Sequence, residues 1–198
     1  MTTLHLIGII GKAGAGKDTI GDHITKNYNG VRYAFADPIK DITRRMFLFD
    51  EEQLYGSKKE IVDERWGVTP RQTFQVIGTN LMQLGIYGFL PNMLEKVPVH
   101  GFWVYHFKLW YNDFISKPEN KDKIIVVTDV RFPHEAEVLR ELNGLLIKVE
   151  RPDLNTNSDV YEHTSETSVD TMTPDVTLIN DTTIDELYEK LDTVMTNF

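Results

Sequence analysis

The residues best suited to chemistry begin in a glycine-rich segment near the start of the chain, residues 11–19. Glycines at this spacing allow the backbone to wrap closely around phosphate oxygens and to point its N–H groups inward. A helix that follows directs its positive end at the same anion, and Lys17 supplies a mobile charge for the β- and γ-phosphates. The segment therefore predicts a phosphate-binding loop (P-loop) for a nucleoside triphosphate, made of Gly11, Lys12, Ala13, Gly14, Ala15, Gly16, Lys17, Asp18 and Thr19.

The loop departs from the usual pattern at one position, directly after the lysine. Asp18 stands where that pattern has a Ser or Thr that binds Mg²⁺, and Thr19 follows one position later. A carboxylate suits Mg²⁺ either directly or through water, and Thr19 can serve the α-phosphate. The alternative is a glycine-rich turn with an incidental lysine, which an apolar strand before the loop and a helix after it make unfavourable.

A second candidate site follows the most apolar strand of the sequence, residues 123–128. Asp129 and Arg131 come directly after it, and open parallel sheets bind their ligands at the carboxyl ends of strands. Asp129 can orient Mg²⁺ or its waters, and Arg131 can hold a phosphoryl oxygen in a two-pronged contact. The alternative is that Asp129 caps the helix beginning at Pro133 and that Arg131 pairs with it on the surface.

The elements that must position these residues follow from the hydrophobic pattern. Short apolar runs predict buried strands at residues 4–10, 31–35, 123–128, 145–149 and 176–179. Helices are expected at 17–28, at 133–143 with a cap at Gly144, and from Thr183 onward. The last helix begins with a capping box between Thr183 and Glu186. Its predicted buried residues are Ile184, Leu187, Leu191 and Val194. Strands that alternate with helices predict an α/β fold with a parallel sheet covered on both faces. Residues 37–117 are interpreted as a mainly helical insertion within one domain, 1–198.

Composition restricts the classes of protein that remain. The chain has 198 residues, no cysteine and a net charge of -9, from 21 basic and 30 acidic residues. The lack of cysteine excludes a disulfide scaffold, a thiol nucleophile and a cysteine-ligated metal, and it fits a reducing cytoplasm. The acidic excess argues against a protein that coats a nucleic-acid polymer. No apolar run approaches the ~20 residues of a membrane span, so we expect no membrane partner and a cytoplasmic protein.

Six motifs then occur in one order along nearly the whole chain. They are Gly16-Lys17-Asp18-Thr19, Asp37-Pro38-Ile39-Lys40-Asp41, the segment 70–79, Phe102-Trp103-Val104, the segment 129–135 and His163-Thr164-Ser165-Glu166. This ordered set resembles the deoxynucleoside monophosphate kinases of tailed bacteriophages. In that family an aspartate after the P-loop lysine is normal.

The resemblance implies a P-loop NTPase three-layer sandwich built on a five-stranded parallel sheet. It also implies an acceptor-binding helical insertion at about 37–117 and a lid-like loop at about 151–173. The reaction would be ATP-dependent phosphorylation of a deoxynucleoside monophosphate to the diphosphate, for dNTP supply. It would take place with Mg²⁺, in the host cytoplasm if the source is viral. The expected partners are small nucleotides, with a homodimer left open.

Catalysis is expected to rest on positioning and charge neutralisation, because the second pKa of a phosphate monoester, about 6, leaves the attacking oxygen already ionised. The candidate catalytic residues are Lys17, Asp129 and Arg131, and the candidate Mg²⁺ ligands are Asp18 and Asp129. Arg151, at the start of the lid, joins the P-loop as an ATP-binding residue. The candidate acceptor-binding residues are Asp37, Lys40, Arg71, Gln75, Trp103 and Arg131.

Simpler alternatives remain open for several of these residues. Lys40 and Arg71 are also ordinary solvated helix cations, and Trp103, which has aromatic neighbours, is more typical of an aromatic core than of a base platform. His163 and Glu166 can form a local loop pair. The alternative functions are a P-loop kinase for a ribonucleoside monophosphate or dephospho-coenzyme A, and a non-catalytic nucleotide-binding regulatory module.

Overall fold

A computed structural model describes residues 5–153 and 168–197, which form two compact units. Residues 5–34, 110–153 and 168–197 belong to the first unit, and residues 35–109 form the second. The five strands of the first unit are β1 (Leu6–Ile10), β2 (Gly30–Tyr33), β3 (Ile124–Val127), β4 (Leu145–Glu150) and β5 (Val176–Ile179). They lie in the order β2-β3-β1-β4-β5, and every neighbouring pair is parallel. The predicted parallel five-stranded α/β sheet is confirmed, with each strand within two residues of its expected ends.

Helices cover both faces of this sheet. α1 (Lys17–Asn27) and α8 (Ile184–Asn197) contribute Ile20, Ile24, Leu187 and Leu191 to a core that also contains Ile7 and Ile9 of β1. Successive strand residues point to opposite faces, so Gly8 faces the other way, against Leu139 of α7 (Pro133–Glu141). A side chain at Gly8 would collide with Leu139, and the close approach of α7 therefore requires glycine there. The first unit is a three-layer sandwich.

Two details at the helix ends differ from expectation. Asn143, with φ +58°, takes the left-handed position after α7, and Gly144 donates its N–H to the carbonyl oxygen of Leu139 at 2.8 Å. This is a Schellman arrangement in which Gly144 is the second residue past the cap, so the predicted glycine cap is one residue too far along. At α8, Thr183 accepts the N–H of Glu186 at 3.3 Å, as expected of a helix start.

The prediction that Ile184 is buried is wrong. Its side chain is 59% exposed, whereas Leu187 and Leu191 on the same helix face are fully buried. Spacing predicts which residues share a face, but it does not predict how far along the helix that face stays covered.

The second unit is mainly helical. Its elements in chain order are α2 (Asp37–Phe47), α3 (Glu51–Leu54), a short 3₁₀ helix (Ser57–Glu60), α4 (Pro70–Gln75), a π-helix (Val76–Gly85), α5 (Ile86–Phe89), a second 3₁₀ helix (Pro91–Glu95) and the first half of α6 (Phe102–Ser116). A π-helix of ten residues is unusual, since this geometry mostly occurs as single-turn bulges at functional sites. The unit overlaps the predicted insertion at 37–117, whose acceptor-binding role stays a prediction. Within the described ranges, every helix is too short or too polar to cross a bilayer.

Candidate active site

The P-loop connects β1 to α1 and depends on glycine at two strained positions. Gly11 has φ +152°, and a Cβ there would lie 2.5 Å from the carbonyl oxygen of Val149 in β4. Gly16 has φ +111° directly before α1, and a Cβ there would lie 2.8 Å from the side-chain nitrogen of Asn180. Both the backbone angles and the close neighbours exclude larger residues, because side chains with a Cβ rarely adopt positive φ. The loop can therefore follow this tight path into the N-terminus of α1.

Lys17 lies across the loop that it follows. Its Nζ donates hydrogen bonds to the carbonyl oxygens of Gly11 at 2.7 Å and of Lys12 at 2.8 Å. The ammonium group is thus held against the loop, where P-loop lysines contact the β- and γ-phosphates. The first-turn N–H groups of α1 provide the remaining donors for an anion.

Asn180 supports the loop from the end of β5 and was missed at the sequence level. Its side-chain Nδ2 donates to the carbonyl oxygen of Ala15 at 2.8 Å. Its backbone N–H donates to the carbonyl oxygen of Glu150 at 2.7 Å. The only sequence signal is its position directly after an apolar strand, at the same sheet edge as the P-loop. Asn180 therefore ties β5 to the loop and to the end of β4.

Asp18 is paired with an arginine that sequence reasoning also missed. The Arg32 guanidinium forms an ion pair with Asp18, donates to Asp22 at 3.0 Å and donates through Nε to the Thr128 hydroxyl at 3.1 Å. The Asp18 side chain is 76% exposed, so its carboxylate remains accessible to solvent. A basic residue inside the short apolar strand β2 was the available signal. Any cation that binds the Asp18 carboxylate must compete with Arg32.

The segment after β3 carries Asp129 and Arg131, and it is held by Glu135. The Oε2 atom of Glu135 accepts the backbone N–H of Arg131 at 2.7 Å and that of Phe132 at 3.1 Å. Glu135 is 5% exposed, and burial together with the nearby charge of Asp129 raises its pKa to about 8, although the two N–H donors oppose the shift. Phe132 is the N-cap of α7, and the carboxyl group that reaches back to it is that of Glu135.

A cavity of about 370 Å³ adjoins the P-loop on the side of β4. The cavity wall contains the predicted ATP-binding residue Arg151, residues of the P-loop and two ion pairs. The lining residues are Lys12, Ala15, Lys148, Val149, Glu150, Arg151, Pro152 and Asp170. Lys12 pairs with Asp170 at 3.1 Å, and Lys148 pairs with Glu150 at 2.7 Å. Most of the predicted lid, including His163 and Glu166, lies outside the described residues.

In the second unit, Asp37 and Lys40 lie together at the start of α2. The Nζ of Lys40 is 3.7 Å from a carboxylate oxygen of Asp37 and 4.1 Å from the ring centre of Tyr55. Arg44, one turn further along α2, pairs with Glu51 and was not among the predicted residues. Cations one turn apart on a helix share a face, so Lys40 and Arg44 lie together beside Tyr55, and each is paired with a carboxylate of the same unit.

The other predicted acceptor residues occupy different surroundings within the same unit. Arg71 is exposed and donates from Nε to Glu60 at 2.8 Å, and Gln75 is the exposed last residue of α4. Trp103 is 5% exposed, and its ring N–H donates to the carbonyl oxygen of Gly78 in the π-helix at 2.8 Å. Trp103 therefore packs as a buried aromatic residue, which was the alternative to a base-binding role. Contact of Trp103 with a base stays a prediction.

The residues available to Mg²⁺ supply oxygen donors. Over residues 5–153 and 168–197, the structure has no cluster of three or more His, Asp or Glu side chains able to enclose a metal ion. Mg²⁺ commonly binds one or two carboxylates together with substrate phosphates and keeps several waters, so a closed protein cage is not required. The exposed carboxylate of Asp18 beside the P-loop fits that description.

Known proteins resemble this chain along most of its length. The family model described as deoxynucleotide monophosphate kinase matches residues 5–65 and 48–191. The chain belongs to this family. A candidate deoxynucleotide monophosphate kinase of Acanthamoeba polyphaga mimivirus is 35% identical over 190 residues, covering 94% of this chain and 93% of its own. The deoxynucleotide monophosphate kinase of Enterobacteria phage T4 is 22% identical, covering 95% of this chain and 97% of its own.

The resemblance predicted from the ordered motifs is thereby confirmed. Members of this family are transferases that phosphorylate deoxynucleoside monophosphates, and a P-loop kinase uses ATP. Among solved structures, dephospho-CoA kinase from Campylobacter jejuni aligns with 99% of this chain and 98% of its own at 13% identity and a TM-score of 0.46. The strand order and the P-loop of this chain define its fold directly.

Proposed function

We propose that this kinase transfers the γ-phosphoryl group of Mg²⁺-bound ATP to a deoxynucleoside monophosphate at the carboxyl edge of its sheet. The observation that carries the proposal is the adjacency of β1 and β3, which pair in parallel with Gly8 opposite Val127. The P-loop follows β1 and the Asp129-Val130-Arg131 segment follows β3, so both leave the sheet at the same edge. This edge is where open α/β sheets bind their ligands.

ATP is proposed to bind with its phosphates against the P-loop. Residues 11–19 supply the N–H groups of the loop and of the first turn of α1, and Lys17 exchanges its contacts with loop carbonyls for phosphate oxygens. Arg151, with the neighbouring cavity beside Lys12 and Ala15, offers a place for the nucleoside.

Mg²⁺ is proposed to be held by Asp18 and Asp129, directly or through water, and to offset the negative charge of the phosphates. Arg131 is proposed to hold the transferred phosphoryl group, since a guanidinium can contact two of its oxygens at once. The monophosphate attacks in its ionised form, and no side chain has to remove a proton. The roles left to the protein are alignment and charge neutralisation.

Asp37, Lys40, Arg71, Gln75 and Trp103 are the acceptor-binding residues proposed in the second unit, and Arg131 is the acceptor-binding residue proposed in the first unit. Lys40 and Arg71 supply positive charge for the monophosphate, while Asp37 and Gln75 can hydrogen-bond to sugar or base. Trp103 is proposed to contact sugar or base, and its ring N–H is held by the carbonyl oxygen of Gly78. Arg44 and Tyr55 belong to the same surface as Lys40 and extend this set.

The test is ADP release from ATP and Mg²⁺, with and without a panel of deoxyribo- and ribonucleoside monophosphates. The proposal requires release that depends on a deoxynucleoside monophosphate and a loss of at least about a hundredfold in Lys17→Ala and Arg131→Ala. Lys26→Ala, which removes an exposed cation at the end of α1, is the matched control. Nucleotide binding without acceptor-dependent release would indicate a regulatory module, and turnover unchanged in both site variants would contradict the assignment of these residues.

A further inference from the structure

We propose that Glu135 is a positioning residue for phosphoryl transfer, which fixes the backbone from which Arg131 extends. The inference rests on the proposed role of Arg131 and adds a residue that does not itself touch substrate. Its basis is the contact of one carboxyl oxygen of Glu135 with two consecutive backbone N–H groups, those of Arg131 at 2.7 Å and Phe132 at 3.1 Å.

Helix capping explains only one of these two bonds. A glutamate at the third position of a helix commonly accepts the N–H of the N-cap residue, which here is Phe132. The second bond, to the N–H of Arg131, lies one residue before the cap and is not needed to begin α7. It restrains the peptide that leads into Arg131, and the capping glutamate therefore also acts on the strand-end segment.

Burial of Glu135 is costly and is not needed for capping. A solvent-exposed glutamate caps a helix without losing its hydration, whereas Glu135 is 5% exposed. The negative charge of Asp129 opposes ionisation of Glu135 and adds to this cost. A carboxyl group kept in such surroundings fits a requirement at the site rather than a requirement of helix stability.

Arg131 is consequently restrained on both sides while its own side chain is exposed. Val130, on the preceding side, is fully buried and faces Gly8 of β1. Glu135 holds the peptide on each side of Arg131, through the N–H groups of residues 131 and 132. A long side chain on a fixed backbone loses less freedom when it grips a phosphoryl group, and a displacement of about 1 Å can cost a hundredfold in rate.

The test compares Glu135→Met, Glu135→Gln and the matched control Glu137→Gln, which alters an exposed glutamate of the same helix. Methionine is unbranched and similar in volume but accepts no hydrogen bond of comparable strength, so kcat should fall at least about tenfold while the KM for ATP changes less than about threefold. Glutamine retains a carbonyl oxygen for both N–H groups and should keep kcat within about threefold of the unmodified enzyme. Glu137→Gln should match the unmodified enzyme.

The double variant Glu135→Met/Arg131→Ala separates this inference from the proposed function. If Glu135 acts through Arg131, the second substitution adds no further loss to that of Arg131→Ala alone. Fully additive losses, an unchanged kcat in Glu135→Met, or equal losses in Glu135→Gln and Glu135→Met would each overturn the positioning role. Full activity of Arg131→Ala would instead overturn the proposed function. A tenfold loss of kcat in Glu135→Gln would also contradict the inference.

Discussion

Arg32 forms an ion pair with Asp18, the residue that directly follows the P-loop lysine. The same guanidinium also contacts Asp22 and Thr128, so it links the first two turns of α1 to the end of β3. The carboxylate proposed to hold Mg²⁺ is thus already engaged by a cation of the protein. Binding of the metal ion and pairing with Arg32 therefore compete for the Asp18 carboxylate.

This competition predicts the Mg²⁺ dependence of two variants in opposite directions. Arg32→Met should lower the Mg²⁺ concentration that gives half-maximal turnover by about threefold or more, because Asp18 loses its competing partner. Asp22→Asn should raise that Mg²⁺ concentration. Arg32 then loses its ion pair with Asp22 and pairs more strongly with Asp18. Turnover measured across a Mg²⁺ titration at saturating ATP checks both. Identical titration curves for the two variants would refute the competition.

The backbone path of the P-loop predicts a specific loss in Gly11→Ala. The new methyl group would lie 2.5 Å from the carbonyl oxygen of Val149, at a φ that favours glycine, so the loop must shift. ATP affinity measured by calorimetry should fall at least about tenfold, since the phosphate-binding N–H groups move with the loop. Gly88→Ala is the control, because a Cβ at Gly88 has no neighbour within 4 Å. Equal affinities in the two variants would contradict the strained path.

The raised pKa of Glu135 predicts a stability profile that falls with pH. The carboxyl group ionises near 4.5 in an unfolded chain and near 8 in the folded protein. Between these values the folded state keeps a proton that the unfolded state has released, so each pH unit lowers the unfolding free energy by up to about 1.4 kcal/mol. Urea unfolding at pH 5, 6.5 and 8 should show this decline in the unmodified protein and a flatter profile in Glu135→Gln. Parallel profiles would show that the group titrates normally.

Ile184 and Leu187, two apolar residues in the first turn of α8, should differ in the cost of truncation. Leu187 is fully buried in the core on β1 and α1, so Leu187→Ala should cost about 2–5 kcal/mol in unfolding free energy. Ile184 is largely exposed, and Ile184→Ala should change the unfolding free energy by no more than about 0.5 kcal/mol. Denaturant unfolding of both variants measures the difference. A large loss in Ile184→Ala would mean that this side chain is covered after all.

The features predicted correctly from the sequence depend on residues that are close together in the chain. The P-loop is contiguous, and the apolar strands before it and before Asp129 are short runs whose burial needs no knowledge of distant residues. Because parallel strands share a direction, their carboxyl ends meet at one edge, which was enough to expect the P-loop and Arg131 at the same edge.

What it missed depends on pairing between distant segments. Asn180 supports Ala15 across 165 positions, and Arg32 reaches Thr128 across 96. Neither partner follows from spacing, because each depends on which strands become neighbours in the sheet. Glu135 is different: its contact with Arg131 is local, but its burial is tertiary, so an ordinary first-turn glutamate and a clamp on the active-site segment have the same sequence pattern.

The P-loop and Arg131 are proposed to transfer a phosphoryl group from ATP to a deoxynucleoside monophosphate. The most direct measurement follows label from [γ-³²P]ATP into each deoxynucleoside diphosphate, for the unmodified enzyme, Arg131→Ala and the control Lys26→Ala. We predict labelled diphosphate with the unmodified enzyme and the control, and at least about a hundredfold less with Arg131→Ala. Label that appears only as inorganic phosphate, or a diphosphate yield that Arg131→Ala leaves unchanged, would contradict the account.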